Sequence, residues 1–186
     1  MAIARNLILD GVSGKIGDTL VISQRGGKTI ISQARGKRRR EASEAQKAHM
    51  MLFQQATIYG RSQMLDEAAK ADYADRAGGM KSAYNVAVAD FFHAPDIDEI
   101  DLSGYSGSIG DPIRVRAIDD FKVVEVFVRI LNADGSLVEE GNAVQSDNLL
   151  DWIYSATAVN ETLEGDKIIV RASDKPGNIK EAEESL

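Results

Sequence analysis

The side chains able to do chemistry fall into a basic run, two sets of carboxylates and a pair of histidines. Arg25, Lys28, Arg35, Lys37, Arg38, Arg39 and Arg40 concentrate positive charge in a short stretch. Such a patch can neutralise nucleic-acid phosphates or meet an acidic protein face. No recognised DNA- or RNA-binding motif surrounds it and no aromatic residues are interleaved with it, which favours a protein contact. Asp96, Asp98, Glu99 and Asp101 form one set of oxygen donors, and Asp119, Asp120 and Asp174 another. Either set could offer calcium ligands, but neither follows the spaced EF-hand loop, and a solvated acidic surface is the plainer reading. His49 and His93 lie far apart and outside any metal-binding motif. Gly11-Val-Ser-Gly-Lys-Ile-Gly17 lacks the spacing of a phosphate-binding loop, and Ile16 follows Lys15 where a magnesium-binding hydroxyl would be needed. No catalytic residue set, metal site or cofactor is expected, and the chain is read as a nonenzyme.

Composition narrows the classes further. The absence of cysteine excludes disulfides, thiolate zinc sites, iron–sulfur clusters and cysteine nucleophiles. Charge is distributed unevenly along the 186 residues: 1–47 carry ten Lys/Arg against four Asp/Glu (+6), 48–93 four against five (−1), and 94–186 eight against twenty (−12). A chain polarised in this way is suited to head-to-tail self-association or to placing a basic arm on an acidic partner. The run Met1–Asp10 is too short and too early interrupted by acid for a secretory signal, and no window is long and apolar enough for a membrane span. Synthesis in the cytoplasm is expected, and a final place in a virion or extracellular particle is compatible with it.

Several elements must position these groups. Gly26-Gly27 between Leu20–Gln24 and Thr29–Gln33 predicts a β-hairpin. Helices are expected over about 41–59, with a stripe from Ala48, Met51, Leu52, Gln55, Ala56 and Tyr59 widened by Met50 and Phe53, over about 66–76 capped by Asp66, and from near Met80 until Pro95. Gly60 is a candidate interruption or end of the first helix, although the pattern can resume through Met64 and Leu65. The three helices are expected to form a small bundle with an aromatic core.

From Ala94 onward the pattern changes to short strands. Ile97, Ile100 and Leu102 suggest an edge strand; Ile113, Val115 and Ala117 alternate with Arg114 and Arg116. After the acidic turn Asp119-Asp120, the run 123–130 reads as a central strand covered on most of both faces. Strands are also expected at Leu137-Val138, around Trp152 and Tyr154, and at 167–173, with 179–186 as a charged tail or a protected edge strand. Trp152 and Tyr154, alternating on one face with Leu150 and Ala156, admit a carbohydrate-stacking surface or, more simply, a sandwich core.

The segment Gly165-Asp-Lys-Ile-Ile-Val-Arg-Ala-Ser-Asp-Lys-Pro-Gly-Asn178 resembles the penultimate strand and following turn of bacterial immunoglobulin-like and fibronectin-type modules. With the strands at 112–118 and 122–131, the resemblance spans 95–186. It implies a β-sandwich used as a spacer, an adhesive unit or a virion decoration. The N-terminal half, on Gly11, Gly14, Lys15, Gly17, Arg25, Arg35 and Arg39, resembles uncharacterised bacterial and prophage-associated structural proteins.

The expected fold class is therefore α+β: an N-terminal β-hairpin and helical segment over 1–93, followed by an all-β immunoglobulin-like sandwich over 94–186. The expected role is a noncatalytic structural or surface-interaction protein, a homo-oligomer or part of a larger assembly such as a phage or injection particle, which self-associates or docks through the N-terminal basic hairpin-helix region and displays the sandwich. Nucleic-acid association through 25–40 and carbohydrate binding are the alternatives.

Overall fold

Two glycines set the geometry at the N-terminal end. Gly26 and Gly27 take φ of +57° and +69°, the left-handed pair that a tight primed turn requires. They join β3 (Leu20–Arg25) to β4 (Lys28–Gln33), and the predicted hairpin is present with Gln24 opposite Thr29 and Leu20 opposite Gln33. The hairpin is the centre of a four-stranded sheet. β1 (Ala2–Ala4) pairs with β4 and β2 (Gly14–Ile16) pairs with β3, both antiparallel. The computed structural model describes residues 2–4, 11–36 and 41–186. The apolar run Asn6–Asp10 and the basic residues Lys37 to Arg40 lie outside the described residues.

The chain divides into two compact units, Met1–Leu52 and Phe53–Leu186. Helix α1 (Glu44–Gln63) begins in the first and ends in the second. It runs four residues past the expected end, and Gly60 does not interrupt it. Helical interiors tolerate glycine poorly, but a Cβ at Gly60 would lie 2.7 Å from Val88 Cγ2, so the missing side chain is what lets the helices approach. The expected apolar stripe is only partly buried. Ala56 and Gly60 are covered, whereas Met50, Met51, Leu52 and Phe53 are exposed.

Asp66 caps α2 (Glu67–Asp75) as expected, its Oδ1 accepting from the backbone N–H of Ala68 and Ala69. Ser82 caps α3 (Ala83–Asp90), which starts later than near Met80 and ends well before Pro95. The aromatic core predicted for a self-contained bundle takes a different form. Tyr73 and Ala87 cluster with Phe121, a residue of the strand-rich region, and the Tyr73 and Phe121 rings stack at 4.1 Å. Lys175 Nζ lies over the Tyr73 ring at 4.9 Å and pairs with Asp72 at 3.1 Å. Asn178 Nδ2 donates to the carbonyls of Phe91 and His93. The helices of this unit therefore share a core with the strands that follow them.

Those strands form two four-stranded antiparallel sheets. One is ordered β5 (Asp96–Asp101), β6 (Pro112–Ile118), β10 (Asp151–Ser155), β9 (Val144–Gln145). The other is ordered β12 (Ile179–Ser185), β11 (Lys167–Asp174), β7 (Val123–Leu131), β8 (Leu137–Asn142). Period-two alternation explains the core: Ile113, Val115 and Ala117 of β6 and Trp152 and Tyr154 of β10 join Val126, Val128 and Ile130 of β7 and Ile168, Val170 and Ala172 of β11. On the other face of β6, Arg114 reaches Asp101 at 2.8 Å and Arg116 reaches Asp151 at 2.8 Å, each across a strand pair.

Three strand expectations need correction. β7 is central in its sheet but is buried on one face: no described residue fully covers the face of Phe127, which is half-buried, and a register shift opposite Ser173 and Asp174 turns Val124 outward, where it is exposed. Leu150 is exposed and precedes β10. The stretch 142–148 contains the short strand β9 as well as loop. The segment 179–186 is an edge strand, as one of its two readings had it.

Candidate functional site

The site is assembled where α3 ends and the β6–β7 turn begins. Asp90 is the last residue of α3, and Asp119 and Asp120 form the turn. One carboxylate oxygen from each lies within 4.8 Å of the others. Asp90 is 2% exposed, so a carboxylate has been carried into a largely apolar layer. Two ionised carboxylates at that separation repel by roughly 3 kcal/mol at an effective dielectric of about 20.

Each carboxylate is held by one oxygen. Tyr73 Oη donates to Asp90 Oδ2 at 2.5 Å, and Tyr59, 2.7 Å from the Tyr73 hydroxyl, can donate to it in turn. Asp119 Oδ2 accepts from the backbone N–H of Phe121 and Lys122 at 3.0 and 2.7 Å, closing the turn. Asp120 Oδ2 lies 2.6 Å from His93 Nδ1. Among the described residues no donor reaches Asp90 Oδ1 or Asp119 Oδ1, although both atoms are buried. Two of the cluster's oxygens, Asp90 Oδ1 and Asp119 Oδ1, are thus left unengaged among the described residues.

Electrostatics follow from this packing. Burial pushes Asp90 up to about 7, opposed by the Tyr73 hydrogen bond and reinforced by the charges of Asp119, Asp174 and Asp120. Tyr73 is raised well above the ordinary phenol range, first by burial and then by donating to Asp90. Asp174 is also pushed up by burial, although the hydrogen bonds from Asn178 and Gly177 oppose the shift. Its Oδ1 accepts from the backbone of Gly177 and Asn178 and its Oδ2 from Asn178 Nδ2, so it organises its own turn. An open cleft of about 510 Å³, lined by His93, Ala94, Asp96, Ile118, Asp119 and Asp120, borders the cluster.

The other sequence candidates are placed as follows. Arg25 and Lys28 oppose each other directly at the hairpin tip and are exposed, as is Arg35 beyond β4. Lys37, Arg38, Arg39 and Arg40 lie outside the described residues. Trp152 and Tyr154 are 7% and 3% exposed and belong to the sandwich core, so they offer no face on which a sugar ring could stack. Glu99 and Asp101 are engaged by Arg114. Asp101 is held below the usual carboxylate range by Ser103 and by Arg114. Lys15 pairs with Asp18 at 2.7 Å, away from any phosphate-like cradle. His49 is exposed on α1, and His93 enters the cluster through Asp120.

Asp119 and Asp120 were visible in the sequence as calcium candidates, but Asp174 does not join them within the cluster distance and Asp90 takes that place. The available signal was an acid inside the apolar helical run Val86–Phe92.

The chain is a mixed α/β protein whose larger unit carries β-sandwich-like sheets. No protein family matches it, and no curated protein does. Among solved structures it is similar to CopC from Methylosinus trichosporium OB3b, at 20% identity over 49% of this chain and 88% of that one, with a TM-score of 0.35. It is also similar to an engineered protein, at 16% identity over 55% of this chain and 25% of that one, with a TM-score of 0.34. Neither likeness carries an argument about the site. Among the described residues, no helix is long and apolar enough to cross a membrane.

Proposed function

We propose that the chain is a noncatalytic assembly protein: its N-terminal unit docks onto another copy of the chain, and its sandwich is displayed as an immunoglobulin-like or fibronectin-type module. The observation that carries this reading is the poor burial of the unit Met1–Leu52. Among its described residues only Ile22 and Thr29 are buried, while Val12, Ile16, Leu20, Met50, Met51 and Leu52 are all at least 40% exposed. A small sheet with so little core gains stability when another surface covers its apolar side chains.

Charge favours a second copy as that surface. Residues 1–47 carry +6 and 94–186 carry −12, so the basic end of one chain is complementary to the acidic sandwich of the next. The strand orders β5-β6-β10 and β12-β11-β7-β8 support the immunoglobulin or fibronectin reading of the displayed module. A phage, prophage or injection particle is the setting proposed for such a chain.

Size-exclusion chromatography with light scattering tests the reading. The intact chain is expected to run as a defined oligomer, and a variant lacking residues 1–40 as a monomer. A monodisperse monomer at high concentration would refute self-association. Salt-sensitive retention of nucleic acid, lost when Arg25, Lys28 and Arg35 are neutralised, would favour the basic tip as a phosphate contact instead.

A further inference from the structure

We propose that Asp90, Asp119 and Asp120 bind a hard divalent cation, Ca²⁺, which ties the end of α3 to the β6–β7 turn. The decisive observation is Asp90 itself: the residue is 98% buried, by its 2% exposure, and its Oδ1 is met by no protein donor. Asp119 Oδ1 is a second buried oxygen in the same condition. Buried carboxylate oxygens need a proton, a donor or a cation, and among the described residues no side-chain or backbone donor serves these two.

Geometry and donor chemistry select the ion. The three carboxylate oxygens lie within 4.8 Å of one another. Ligand oxygens around one Ca²⁺ lie up to roughly 4.6–5.2 Å apart, since Ca–O distances are about 2.3–2.6 Å, so all three fit within its shell; Ca²⁺ also tolerates irregular geometry, whereas Mg²⁺ demands a near-ideal octahedron at about 2.0–2.1 Å. The donors are all carboxylates, which suit a hard cation. The Oδ2 atom of each is fixed, by Tyr73, by the backbone of Phe121 and Lys122, and by His93, the kind of support that orients metal ligands. The open cleft beside Asp119 and Asp120 supplies an entry path and room for the waters that complete a coordination shell of about 6–8 oxygens. The cation would offset the mutual repulsion of the three carboxylates and fasten helix to turn within the unit Phe53–Leu186.

The test is calorimetric titration of the intact, chelator-treated chain with CaCl₂, with MgCl₂ as a second arm and thermal unfolding as a second readout. One Ca²⁺ per chain is expected, bound more tightly than Mg²⁺, with a rise in melting temperature. Asp119→Asn and Asp120→Asn should each weaken binding by roughly tenfold or more. Glu183→Gln, on β12, should leave it unchanged. Asp120 is half-exposed, so its variant keeps the test valid even if the Asp119 variant folds poorly.

A proton shared between Asp90 and Asp119 is the competing account of the unpartnered oxygens. It predicts no heat and no thermal shift at about 10 mM Ca²⁺, above the weakest affinities of extracellular calcium modules, and that result overturns the proposal. Unaltered affinity in both Asp→Asn variants also overturns it, and tighter binding of Mg²⁺ overturns the choice of ion. These readouts are per chain, so their failure leaves the self-association test separate.

Discussion

Replacing Gly60 by alanine separates two effects of opposite sign. Intrinsic helix propensity favours alanine in a helix interior by about 1 kcal/mol. Packing opposes it, because the new methyl would meet Val88 Cγ2 at 2.7 Å and Tyr84 Cε2 and Cδ2 at 3.0 and 3.2 Å. Val88 is β-branched and sits on α3, where its χ1 has one preferred well, so it cannot swing aside cheaply. Overpacking of this kind costs about 1–3 kcal/mol. The balance is a net loss of about 1 kcal/mol, with about 2 as the upper end. With urea slopes of about 1–3 kcal/mol/M, a 1 kcal/mol loss lowers the unfolding midpoint by roughly 0.3–1 M. Far-UV circular dichroism follows the helices, and the single tryptophan, Trp152 in the sandwich core, follows the strands by fluorescence. The double variant Gly60→Ala/Val88→Ala should recover much of the loss in a double-mutant cycle. A midpoint that rises in the single variant would show that propensity alone governs the site and would refute the close-approach account.

Two further changes test other parts of the unit. Glu139 is buried, and its Oε2 accepts from the Tyr154 hydroxyl, from the backbone N–H and hydroxyl of Thr157 and from the Ala158 N–H. Burial pushes its pKa up, but the bonds from Thr157, Tyr154 and Ala158 outweigh that and hold it below the ordinary 4.5. Its stabilisation is therefore present above pH 4.5 and lost as pH falls through the depressed value. Glu139→Gln should cost about 1–3 kcal/mol at pH 7, and the gap to the parent should narrow in thermal melts below pH 4; a pH-independent gap would refute this. Gly107 has φ +87°, and a Cβ there would lie 2.3 Å from the Asn160 carbonyl oxygen, so Gly107→Ala should destabilise by roughly 2–5 kcal/mol. An unchanged melting temperature would contradict it.

Local signals were the ones a reader of the sequence could use. Gly26-Gly27 announced the hairpin, Asp66 its helix cap, and the alternation of Ile113, Val115 and Ala117 the inner face of β6. What stayed hidden was decided by distant partners. Gly60 looks like a breaker until Val88 and Tyr84 are placed against it. Val124 looks buried in an apolar run because sequence does not reveal the register shift against β11 that turns it outward. Asp119 and Asp120 were readable as a turn, but their third partner, Asp90, arrives from another element once Tyr73 has stacked on Phe121.

The contact of Lys175 with Asp72 also bears on the order of folding. The bonds that link the helices to one another are local, 14 residues apart for Tyr59 and Tyr73 and 17 for Tyr73 and Asp90. Those that hold the helices on the β11–β12 turn span 103 residues for Lys175 and Asp72 and 87 for Asn178 and Phe91. Closing such long loops costs more chain entropy and is slower than local pairing. The helices are synthesised before the strands on which they dock, so during translation Tyr73 must await first Phe121 and then, with the last turn of the sandwich, Lys175.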